Sequence, residues 1–173
     1  MFGPSETGII RENLLHEKKE EAIELFYSEY CERHSDLVQS NTEIHDLLVD
    51  LKKSGVKLGI FTGKARRSLD ISLKALHMDG IFDVIITGDD VTKPKPDPEG
   101  LVNALTVLDV DKSETIFIGD SDADIFAGLQ AGIFTVGVQW LADYQTAAFA
   151  HTPNAVFSSV SEFKEFIKVG ARK

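Results

Sequence analysis

Gly119-Asp120-Ser121-Asp122-Ala123-Asp124 places three carboxylates within five positions. Carboxylates so close repel one another, and a hard cation such as Mg2+, which takes oxygen ligands, would offset their charge. A plainer reading has Asp120 or Asp122 capping a helix, with the acidic groups favoured at its positive end. A calcium loop of the EF-hand type is excluded: Ile125 stands where that loop needs Gly, and Ala131 where it needs an acidic residue.

Two further groups could do chemistry. In Thr62-Gly63-Lys64, a hydroxyl and backbone N–H groups at a strand-to-helix turn can hold a phosphate oxygen, or the Thr can simply cap a helix. In Lys93-Pro94-Lys95-Pro96-Asp97-Pro98, proline on both sides of Lys95 stiffens the backbone and directs the side chain. An ammonium placed that way can neutralise phosphate or pin carboxylates; alone, it could equally be a solvated surface lysine. The groups occur in order, with Lys95 33 residues after Thr62 and Asp120 25 residues after Lys95.

The elements that must position these groups are legible in the hydrophobic pattern. The first forty residues read as helices only. A turn at Gly3-Pro4-Ser5-Glu6 leads into a helix with Ile9, Ile10 and Leu14 on one face. A longer helix follows, roughly Lys18 to Arg33, marked by Ala22, Ile23, Phe26 and Tyr30. From Ser40 onward, helices alternate with short apolar strands. Thr42 is expected to cap a helix through Ile44, Leu47, Leu48 and Leu51 to Gly55. Strands are expected at 57–61, 84–87, 115–118 and 133–138. Helices are expected through Leu69, Leu73 and Leu76, from Leu101 to Leu108, from Asp122 to Gln130 and from Ser161 to Val169. This alternation implies an α/β fold, a parallel sheet covered on both faces, with ligands at the carboxyl ends of its strands. Thr62, Gly88-Asp89-Asp90 and Asp120 all fall at such ends.

Composition narrows the class. The net charge of −10 argues against a nucleic-acid or anionic-membrane surface, since both need clustered Lys and Arg. It leaves room for a small phosphorylated metabolite, which a few local cations can hold. The sequence contains no apolar run of 18 residues, so no membrane span is expected. Cys31 is the single cysteine; it cannot form an internal disulfide, which fits a reducing, cytoplasmic setting, and it reads as a helix-face residue.

The sequence resembles the haloacid-dehalogenase-like (HAD) superfamily, in its phosphoglycolate-phosphatase-like branch. LGIFTGK resembles the second motif of that family, KPKPDP the third and FIGDSDAD the fourth; VQW and PNAVFSSVSEF resemble its closing pattern. The resemblance implies a HAD-like Rossmannoid core of three layers over residues 39–173. It also implies that residues 1–38 are the remainder of a helical cap. Phosphohydrolase activity on a small phosphate monoester, through an aspartyl-phosphate and Mg2+, is implied as well. On this resemblance Thr62 and Gly63 bind the transferring phosphoryl group. Lys95 stabilises that group, because counting from Lys95 rather than Lys93 puts Leu101 and Ala104 at the family's apolar helix positions. Asp120 is a Mg2+ ligand and Asp124 supports the metal shell. Lys64 adds positive charge near the substrate, while Asp89 and Asp90 are loop polar groups.

The first motif of that family, DxDG followed by Thr or a near relative, does not occur in the 173 residues. It would supply the attacking carboxylate and the general acid. Asp109-Val110-Asp111 precedes a strand and is followed by Lys112, so it reads as a turn. The resemblance implies that the strand carrying the first motif lies between those ending at Thr62 and Asp120, so its absence would leave two inner edges unpaired. The expectation is an N-terminally truncated chain, inactive by itself. The central slot would then be closed by direct pairing, by another segment or by another chain. A non-catalytic phosphate- or metal-binding protein remains the alternative. A phospho-acceptor receiver domain fits less well, because there the acidic cluster precedes the Thr and Lys.

Overall fold

Gly59–Phe61 and Val84–Ile86 lie in apolar runs too short for helices, and they pair as parallel strands. The computed structural model describes residues 5–15, 17–141 and 146–170; Gly3 and Pro4 of the expected first turn lie outside them. The chain forms two compact units, residues 1–94 and 95–173.

The first unit contains helices α1 (Glu6–Asn13), α2 (Lys19–Leu37), α3 (Thr42–Lys53) and α4 (Arg66–Ala75) with strands β1 (Gly59–Phe61) and β2 (Val84–Ile86). Ile60 stands opposite Ile85 in a parallel register. Helix α2 packs on α4, Ile23 and Tyr27 of α2 are buried, and the Arg67 guanidinium lies 4.2 Å from the Tyr27 ring centroid. Arg67 also makes a bidentate pair with Glu24, at 2.6 and 2.9 Å. The end of α3 is tied to the start of β1 by Asp83, which accepts from Lys52 Nζ at 2.6 Å and from Leu58 N at 2.8 Å.

The second unit contains α5 (Glu99–Leu108), β3 (Ile116–Gly119), α6 (Asp122–Ala131), β4 (Phe134–Val138), β5 (Ala155–Phe157) and α7 (Val160–Gly170). Strand β4 lies between β3 and β5, parallel to both, and Thr135 to Val138 are buried. Ile125 of α6 and Val136 of β4 are fully buried, each contributing about 1.5–3 kcal/mol. Gly128 lets α6 lie close on the sheet, because a Cβ there would collide with Thr135 and Phe117. Among the described residues, β1 has only β2 as a strand partner and β3 only β4.

Several local expectations are corrected. Asn41, not Thr42, caps α3: its side chain accepts from Ile44 N at 3.1 Å, and Thr42 is the first helical residue. The expected apolar face of α1 is not buried, since Ile9 is 48% and Leu14 37% exposed. The helix instead turns its small polar residues inward. Thr7 is buried, and Ser5 Oγ donates to Asp89 Oδ1 of the loop after β2. Helix α2 runs one turn past Arg33 to bury His34. Strand β5 was not expected; three residues after Pro153 give too short a periodic signal.

Candidate active site

Thr62 follows β1 directly, and its amide still donates to Ile86 O at 3.0 Å, so the ladder with β2 fixes its backbone. Its Oγ1 accepts from Lys64 N at 3.3 Å, and the hydroxyl proton has no acceptor among the described residues. The Gly63 amide likewise has no partner among the described residues. The turn therefore offers two uncommitted donors at a strand end, the pattern that holds an anionic oxygen.

The groups around that turn are engaged by the protein itself. Lys64 Nζ donates to Tyr30 Oη at 2.6 Å, and that hydroxyl is 2.8 Å from Ser72 Oγ, which ties the lysine to α2 and α4. At the N-terminus of α4, Ala65 N donates to Glu6 Oε2 and Arg66 N to Asp89 Oδ2. Asp90 Oδ2 accepts from the Thr87 amide at 2.8 Å, the Thr87 hydroxyl at 2.6 Å and the Arg66 guanidinium at 2.9 Å. Burial alone would raise the Asp90 pKa; the Thr87 and Arg66 contacts outweigh it and hold the carboxyl below its ordinary value. Asp89 and Asp90 thus serve as polar groups within the loop.

In the second unit the acidic loop divides its labour. Ser121, rather than Asp120 or Asp122, caps α6. Its Oγ accepts from Asp124 N at 3.2 Å while Asp124 Oδ2 accepts from Ser121 N at 3.2 Å, a reciprocal capping box. Ser121 Oγ also donates to the same Oδ2 at 2.5 Å. The other oxygen, Oδ1, accepts from Lys95 Nζ at 2.7 Å. This ion pair is largely withdrawn from water, with side chains 15% and 10% exposed. Gly119 leaves the space this requires, since a Cβ there would collide with Asp124. Asp122 Oδ1 accepts from Ala150 N at 2.7 Å. Asp120, half-buried immediately after β3, makes no hydrogen bond or ion pair among the described residues.

The structure thus brings Lys95 to Asp124 and leaves Asp120 uncommitted, while Thr62 and Gly63 belong to the first unit. Lys93 is exposed. Among the described residues, no three His, Cys, Asp or Glu side chains converge as a metal cluster. Mg2+ takes about six oxygens, so the residues present fit it as a single carboxylate anchor at Asp120. Asp109 and Asp111 form the expected turn: Asp109 ends α5 at φ 50°, and Asp111 Oδ1 accepts from Ser113 N at 2.7 Å. Sequence reasoning missed Ser121, although Ser-x-x-Asp before an apolar run is the spacing of a capping box.

Residues 1–138 match the family described as haloacid dehalogenase-like hydrolase. The chain is 38% identical over 145 residues to pyrophosphatase PpaX of Bacillus mycoides, covering 84% of this chain and 67% of that protein. A HAD phosphatase from Thermococcus onnurineus superposes with a TM-score of 0.68 at 26% identity, over 82% of this chain and 64% of the other, less than two thirds of its length. CbbY from Rhodobacter sphaeroides, solved in complex with phosphate, has a TM-score of 0.77 at 21% identity, over 93% and 76% of the two chains, a likeness of fold.

Proposed function

The chain belongs to the haloacid dehalogenase-like hydrolase family, and from that premise we propose that it carries the phosphate clamp and metal corner of a phosphohydrolase acting on a small phosphate monoester. Residues 1–38 are the remainder of a cap and 39–173 the core. Thr62 and Gly63 donate to the phosphoryl oxygens, and Lys95 neutralises their charge. Asp120 anchors Mg2+, and Asp124 supports that corner by holding Lys95. Bound there, Mg2+ would supply positive charge to the phosphoryl oxygens. The cytoplasmic setting rests on the single Cys31.

The observation that carries this reading is the buried Lys95–Asp124 pair on the loop whose first carboxylate, Asp120, is uncommitted. A lysine already oriented by a carboxylate can meet an anion with little further ordering. The 173 residues hold no DxDG segment ending a strand, the segment that would supply the attacking carboxylate. That same lack favours a second reading, phosphate or metal binding without turnover. The name of the Bacillus relative adds inorganic pyrophosphate to the candidate substrates.

Turnover of p-nitrophenyl phosphate and of pyrophosphate with added Mg2+ tests the proposal. These residues alone are expected to give none. Robust turnover, abolished by Asp120→Asn, would refute the reading that these residues lack the nucleophile.

A further inference from the structure

We infer that Gln130 is a positioning residue for Lys95, an inference that rests on the role proposed for that lysine. Gln130 lies at the end of α6, and its Nε2 donates to Pro96 O at 2.9 Å. Pro96 directly follows Lys95, so α6 grips the lysine-bearing loop twice, at the ammonium through Asp124 and at the backbone through Gln130. The two grips are six residues apart, about 9 Å along a helix axis. The contact at the ammonium orients the side-chain end; the contact at Pro96 O helps fix where the lysine backbone starts.

The rest of the loop is fixed by other means. Asp97 Oδ1 accepts from Glu99 N at 3.0 Å, which sets the start of α5. Helix α5 packs on α6, with Leu101 buried. Between that anchor and Lys95, the Pro96 carbonyl is where the backbone can be held from α6, and a proline has no N–H of its own to offer. Gln130 is exposed, so its side chain serves little as packing; its amide donor is what the loop uses.

The experiment compares wild type with Gln130→Glu, which keeps the shape but cannot donate, and with Gln130→Arg, which can. The readout is the side-chain ammonium signal of Lys95 in a 1H–15N NMR spectrum at low temperature, assigned by its disappearance in Lys95→Arg. A buried, ion-paired ammonium exchanges its protons slowly and gives such a signal. Gln130→Glu should weaken it about five-fold, the equivalent of one ordinary hydrogen bond, with the unfolding temperature lowered by no more than about 4 °C. Gln130→Arg should restore it. A wild-type signal in Gln130→Glu overturns the inference. Persistence of the signal in Asp124→Asn instead overturns the Lys95–Asp124 pair, and with it the reading of the site on which the inference rests.

Discussion

Lys95 Nζ stands 2.7 Å from Asp124 Oδ1, with both side chains largely out of water. Breaking such a pair from one side leaves an uncompensated buried charge. Lys95→Met should therefore destabilise the protein by about 3 kcal/mol. Adding Asp124→Asn to Lys95→Met should cost less than Asp124→Asn alone, since the partner is already gone. A double-mutant cycle by urea unfolding measures the coupling; additive losses would contradict the pair.

Ser121 caps α6 and donates to the buried Asp124 carboxylate with the same hydroxyl. Ser121→Ala removes both contacts and should cost about 2 kcal/mol, a helix cap plus part of a charge-assisted hydrogen bond. Ser121→Thr keeps the hydroxyl and should recover most of the loss. Denaturant midpoints of the three proteins check this.

Acid should loosen the tie between α3 and β1. The hydrogen bond from the Lys52 ammonium, followed by that from the Leu58 amide, holds Asp83 below its ordinary value of 3.8. A carboxyl depressed in the folded state adds stability that is fully present above its unfolded pKa and is lost as pH falls through the folded value. That contribution should therefore persist at neutral pH and fade below about pH 4. Asp83→Asn should flatten this part of the stability profile, read as unfolding temperature against pH.

The alternation of helices and short strands was legible because both periods are written in Leu, Ile, Val and Phe. Strand β5 was not, because Ala155–Phe157 is too short to show a period. The cap of α3 shifted from Thr42 to Asn41 because adjacent Asn and Thr both cap well, and only the backbone angles decide between them. Proline framing and the apolar helix positions of the family the sequence resembles pointed to Lys95, whose ammonium reaches Asp124 across 29 positions. The contact of Gln130 with Pro96 O, 34 positions apart, left no trace in the sequence. A side chain that bonds a distant carbonyl needs only one long polar group, and a surface helix carries many.

The central claim is that Thr62, Lys95 and Asp120 serve phosphate and Mg2+. Calorimetric titration of inorganic phosphate in the presence of Mg2+ tests it most directly, with Thr62→Val, Lys95→Met and Asp120→Asn as controls. Wild type should bind. Thr62→Val and Lys95→Met should each lose about ten-fold or more in affinity, as expected on removing a donor to an anion, and Asp120→Asn should abolish the dependence on Mg2+. No binding by folded wild type, or binding unchanged by all three substitutions, would contradict the account.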